Sequence, residues 1–96
     1  MIKIVARMII KEDCIEAFHK AAAELIAKSR AEEGNVFYSL NQSTANPQLH
    51  CFIECWKDQE AINIHNATEH FTTIVPTFAA FTQEHLPTEF YQELEL

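Results

Sequence analysis

CFIECWKDQEAINIHNATEHF, residues 51–71, changes its period halfway along. Over its first six residues the side chains alternate, as in a strand, with Cys51, Ile53 and Cys55 on one side and Phe52, Glu54 and Trp56 on the other. Asp58 then has the chemistry of a helix N-cap, and a short helix runs to about Asn66. Thr68 can cap a second helix over roughly residues 69–82, with Phe71, Ile74, Val75, Phe78 and Phe81 as its buried face. Pro76 removes a backbone donor inside that segment and should bend it.

Working outward, residues 48–57 and 35–43 form two strands joined by the turn STANPQ, hence a hairpin. His50 extends the Phe52, Glu54, Trp56 face, while Val36, Tyr38 and Leu40 share one face of the partner strand. Upstream, residues 2–10 are a strand rich in Ile, Val and Met. A helix follows, with Ile15, Phe18, Ala22, Leu25, Ile26 and Ser29 at helical spacing. Asp13 and Glu16 have capping-box spacing at its start. Gly34, the sole glycine, lies where a helix end takes a left-handed residue. Downstream, LPTEFYQELEL closes the chain as a strand with Phe90, Gln92, Leu94 and Leu96 on one face.

The order β-α-β-β-α-β predicts one α+β domain over residues 1–96, a ferredoxin-like split βαβ with an antiparallel sheet. Its helices cover one sheet face. The opposite face carries Val5, Phe37 and Ile53, so it calls for a second cover, and the economical one is the sheet of a second copy. A homodimer is therefore expected.

Charge narrows the partners. The net charge is −7, and all seven Lys and Arg fall within residues 1–57. Nucleic acid and anionic membrane both require a basic patch, so neither is expected. The start of the chain, MIKIVARMII, carries charges inside a short apolar run and shows no secretory signal. Cys51 and Cys55, four apart on a strand, are separated by about 13 Å, too far to bridge. With Cys14 they make three thiols, which fit a reducing cytoplasm. His65 and His70 would stand roughly 140° apart on a continuous helix. No other residue completes a ligand set with them, so no metal is expected.

The residues Phe52, Glu54, Trp56, Asp58, Ala61, His65, Thr68, His70 and Phe71, together with EEGN at 32–35, resemble the signature of the antibiotic biosynthesis monooxygenase family. The resemblance spans nearly the whole chain. It implies a ferredoxin-like domain pairing through its sheets into a dimeric α+β barrel. It also implies one of several activities: cofactor-independent oxidation of aromatic or quinol-type substrates by O₂, haem degradation, or isomerisation of a phosphorylated signalling-sugar derivative. The haem-degrading branch places an Asn on the first strand, where this chain has Val5, Ala6 and Arg7. The EEGN and HNATEHF segments are at least as similar to the isomerase branch as to the quinol oxidases.

With that resemblance the candidate catalytic residues are His70 and Glu54. His70 is expected in the first turn of its helix, where an imidazole can act as acid or base; its bland alternative is a half-buried, singly hydrogen-bonded histidine. Glu54 must find a partner or a proton if it is buried in mid-strand. Trp56, Phe52, Phe71, Ile74 and His65 are the candidate substrate wall, although Trp56 would serve equally as core and His65 as a cation at a helix end. No flavin or haem motif is present, so no cofactor is expected. The expected function is a cofactor-independent monooxygenase acting on a small quinol-type or enolisable molecule. The alternatives are the isomerase and a non-catalytic dimeric ligand-binding domain.

Overall fold

A computed structural model describes all 96 residues, as an antiparallel five-stranded sheet with three α-helices on one face. The central strand β1 (Ile2–Ile10) pairs along one edge with β3 (Leu49–Trp56), which pairs in turn with β2 (Asn35–Gln42). The other edge of β1 is shared by two short strands. β5 (Glu89–Gln92) covers Ile2–Val5, and β4 (Thr82–His85) covers Met8–Ile10. The break between them contains Pro87, which has no N–H to give to the ladder. The expected split βαβ architecture is present, with its last strand divided in two.

Alternation in the sequence sets the inner face. Ile4, Met8 and Ile10 of β1, Tyr38 of β2, and His50, Phe52, Glu54 and Trp56 of β3 are all buried. Against them pack Phe18, Ala22, Leu25 and Ser29 of α1 (Ile15–Arg30), Ala61, Ile62 and His65 of α2 (Gln59–Asn66), and Ile74 of α3 (Glu69–Ile74). On the outer face the Lys3–Glu93 and Arg7–Glu89 ion pairs span 3.0 and 3.7 Å beside the half-exposed Phe37. No helix is long and apolar enough to cross a membrane.

Two predicted caps form: Asp58 accepts from the Ala61 N–H at 2.8 Å, and Thr68 from the Phe71 N–H at 3.2 Å. Several other expectations are corrected. The helix predicted to 82 stops at Ile74. Pro76 lies at the start of a 3₁₀ segment, Val75–Ala80, and the chain then enters β4, a strand whose polar sequence TQEH gave no apolar alternation to recognise. Asp13 caps nothing: a 3₁₀ turn, Glu12–Cys14, precedes α1, and the Asp13 carboxylate faces the Cys14 thiol instead. Val36 is exposed because the register shifts between Asn35 and Phe37. Residues 93–96 lie beyond the last strand, and Leu94 and Leu96 are exposed.

Gly34 is corrected in its reason. Its φ is not positive. A Cβ placed on it would stand 2.4 Å from the Ala61 Cβ and 3.3 Å from the Ala61 Cα. Glycine is needed because the turn after α1 presses directly on α2. That contact seats the turn after α1, which carries Glu32, against the first turn of α2.

Candidate functional site

A cavity of about 640 Å³ opens between the inner sheet face and the segment running from α2 to the 3₁₀ turn. Its wall is mostly apolar, with Ile4, Ala6 and Met8 from the sheet and Val75, Phe78 and Ala79 opposite. Glu54, His65 and Tyr38 are its buried ionisable groups; Gln83, His85 and Thr88 add polar groups from the β4–β5 edge. No Lys or Arg lines it.

The residues predicted from sequence divide into two sets. Glu54, Phe52, Phe71 and His65 line the cavity. Trp56, Ile74 and His70 do not. Trp56 is fully buried in the core, and its indole N–H donates to Glu54 Oε1 at 2.9 Å. Ile74 is buried in the main apolar cluster. His70 is half-buried and turns toward Glu32, whose carboxylate Oε2 is 2.8 Å from Nε2. His19 and His50 pair with each other through Nε2 atoms 2.8 Å apart, outside the cavity wall.

Glu54 stands where a strand residue must point inward, between Phe52 and Trp56. Burial pushes its pKa up to about 7. The Trp56 N–H opposes that rise, and the negative charge of Glu32 adds to it. Near neutral pH the cavity therefore holds a carboxyl group poised between acid and carboxylate. Tyr38, opposite Glu54 in the β2–β3 register, also lines the cavity; burial raises its pKa and keeps the phenol protonated.

His65 is the better-held imidazole. Its Nδ1 lies 2.6 Å from Glu32 Oε2, and its ring rests on Trp56 with centroids 4.3 Å apart. A carboxylate only accepts, so Nδ1 carries the proton and Nε2 keeps a free lone pair. That Nε2 is buried and has no hydrogen-bond partner. Burial lowers the pKa of His65, while its bond and attraction to Glu32 work the other way.

On a continuous helix His65 and His70 would point about 140° apart, but the expected break between two helices is present. The chain breaks at Ala67 and restarts at Thr68, and both rings reach the same oxygen of Glu32. Glu32, His65 and His70 thus supply three potential ligand atoms within 4.8 Å of one another, a grouping that was not expected. Glu32 itself was missed. It belongs to the turn between α1 and β2, and no local pattern marks a turn carboxylate as buried. Tyr38 could have been found from the hairpin register, which sets it across from Glu54.

The sequence profile of the antibiotic biosynthesis monooxygenase family matches residues 1–77. The Bacillus subtilis (strain 168) protein named "Putative monooxygenase YcnE" is 37% identical over 75 residues, covering 78% of this chain and 79% of that protein. A crystal structure described as an antibiotic biosynthesis monooxygenase superposes with a TM-score of 0.92 at 33% identity, covering 99% of this chain and all of that one. A conserved protein from Methanosarcina mazei Go1 superposes at 0.93 with 26% identity, over 97% of this chain and 92% of its own.

Proposed function

The chain belongs to the antibiotic biosynthesis monooxygenase family, and on that premise we propose that it is a cofactor-independent monooxygenase of small dihydroxy-aromatic or otherwise enolisable molecules. Family membership and the name of the Bacillus relative support a monooxygenase-type function; the substrate class and the cofactor-free route are our reading. The observation that carries it is His65, fixed through Nδ1 by Glu32 while an unpartnered Nε2 remains in a residue lining an apolar cavity.

In this reading His65 Nε2 takes a hydroxyl proton from the substrate. The resulting anion is electron-rich and reduces O₂ directly, and the two join as a hydroperoxide at a ring C–H carbon. Loss of that C–H proton with cleavage of the O–O bond leaves a carbonyl and releases water. One oxygen atom enters the product and the other leaves as water, so a four-electron oxidation matches a four-electron reduction. Glu54, near its pKa, supplies the proton to the departing oxygen. His70 does not meet the substrate; it positions His65 through Glu32. The apolar wall excludes water from the charged intermediates.

The isomerase alternative needs cations for a phosphorylated ligand, and the cavity wall has no Lys or Arg. A non-catalytic binder would not need a buried, unpaired imidazole nitrogen. We further propose that the chain works as a homodimer in the reducing cytoplasm, with a second sheet covering Phe37 and its neighbours on the outer face. The test is oxygen uptake with a 1,4-dihydroxy-aromatic substrate. His65→Ala should lower turnover by roughly 10²–10⁴-fold, the scale of a lost general base. Wild-type turnover in folded His65→Ala would refute the assignment.

A further inference from the structure

We propose that Glu32, His65 and His70 form a binding site for a divalent transition metal such as zinc, and that the metal switches the enzyme off. The three side chains come from separate elements: the turn after α1, the last turn of α2 and the first turn of α3. Their candidate ligand atoms lie within 4.8 Å of one another. Two imidazole nitrogens and one carboxylate oxygen are a donor set suited to zinc and its neighbours, and unsuited to magnesium or calcium.

A second observation points to the same place. Glu32 Oε1 and His65 Nε2 are both buried and without hydrogen-bond partners. Buried polar atoms are ordinarily satisfied, so an idle Glu32 carboxylate oxygen beside two imidazoles is free to serve an ion, while His65 Nε2 lies on the far side of its ring and stays outside the ligand set. The net charge of −7 also favours accumulation of divalent cations near the chain.

The metal would take the lone pairs at the positions the two N–H protons now occupy. Each ring then keeps its single proton on the nitrogen away from the metal, and Glu32 stays a carboxylate. The carboxylate oxygen is now 2.6 and 2.8 Å from the two nitrogens. Bonds of about 2.0–2.2 Å to one ion separate tetrahedral ligands by roughly 3.3 Å, so Glu32 must withdraw by several tenths of an ångström. Its other oxygen has no bond to lose in that movement.

Inhibition follows from the tautomer and rests on the proposed role of His65. With a metal on Nδ1, the ring proton sits on Nε2, which becomes a donor and no longer a base. Metal binding and proton abstraction therefore exclude one another at this residue.

The experiment is a Zn²⁺ titration of chelator-treated, full-length protein against a chromophoric competitor, with Co²⁺ visible absorption as a coordination signature. One ion per chain should bind with micromolar or lower Kd. His70→Ala and Glu32→Gln should each weaken binding by at least 10-fold, and His19→Ala should leave it unchanged. If His70→Ala does not fold by circular dichroism, His70→Asn replaces it. Stoichiometry well below one, or wild-type affinity in both ligand variants, would overturn the site. Oxygen uptake should fall in proportion to zinc occupancy. Full occupancy with undiminished turnover would overturn the inhibitory role and the base assignment while leaving the site standing. Absence of binding would overturn the site and leave the base assignment standing.

Discussion

Gly34→Ala tests the contact that seats Glu32 against α2. The added Cβ would stand 2.4 Å from the Ala61 Cβ, and van der Waals contact needs well over an ångström more. Neither side yields easily. The Gly34 carbonyl accepts from the Lys57 N–H at 3.0 Å, and α2 is held by its Asp58 cap and by the buried Ile62. Overpacking of this kind costs about 1–3 kcal/mol, and the lower flexibility of an unfolded chain with alanine returns about 0.4–1. A net loss of about 1.3 kcal/mol is expected, or roughly 5–10 °C in Tm for a domain of this size. Ala61→Gly alone should cost about 1 kcal/mol through helix propensity. In the double variant the clash is gone, so its loss should fall short of the sum by at least about 1 kcal/mol. Urea denaturation at one fixed protein concentration measures all four corners of the cycle. An additive double variant, or a neutral Gly34→Ala, would refute the close-contact explanation. A glycine kept for its backbone angle would show no rescue by Ala61→Gly.

Glu54 gives a pH signature. Its folded pKa of about 7 lies above the usual carboxylate value, so between about 4.5 and 7 the folded chain binds more protons than the unfolded one. This contribution to stability is present at low pH and is lost as pH rises through 7, by about 3 kcal/mol at most. Glu54→Gln should abolish that slope and be relatively more stable at pH 8; an unchanged slope in urea titrations across pH would count against a buried, raised carboxyl. Trp56→Phe removes the N–H that stabilises the carboxylate, so the pH–rate profile should shift upward at its Glu54 limb more than KM changes. A pure KM effect would mean that Trp56 meets the substrate. Sedimentation should give a dimer at micromolar concentration, and a stable monomer would remove the proposed sheet-to-sheet pairing.

The elements that carry the inner face were legible because they depend on local periodicity. Residues 2–10, 35–42 and 49–56 alternate, Asp58 and Thr68 cap as their chemistry dictates, and Glu54 and Phe52 point inward because strand neighbours must point apart. The resemblance carried by residues 52–71 likewise needed only sequence. β4 was not legible: Thr82–His85 has no apolar pattern and becomes a strand only because β1 offers it an edge. The site was legible only in part. Glu54 and His65 could be nominated one at a time, but Glu32 is 33 residues from His65 and 38 from His70 in the chain. Their meeting depends on a helix break at Ala67 and on the close approach of Gly34 to Ala61. Side-chain direction is fixed by a residue's own neighbours, and so the sequence determined which residues face inward. Which of them touch is fixed by how whole elements pack, and only the tertiary structure placed His65, and not His70, on the cavity wall.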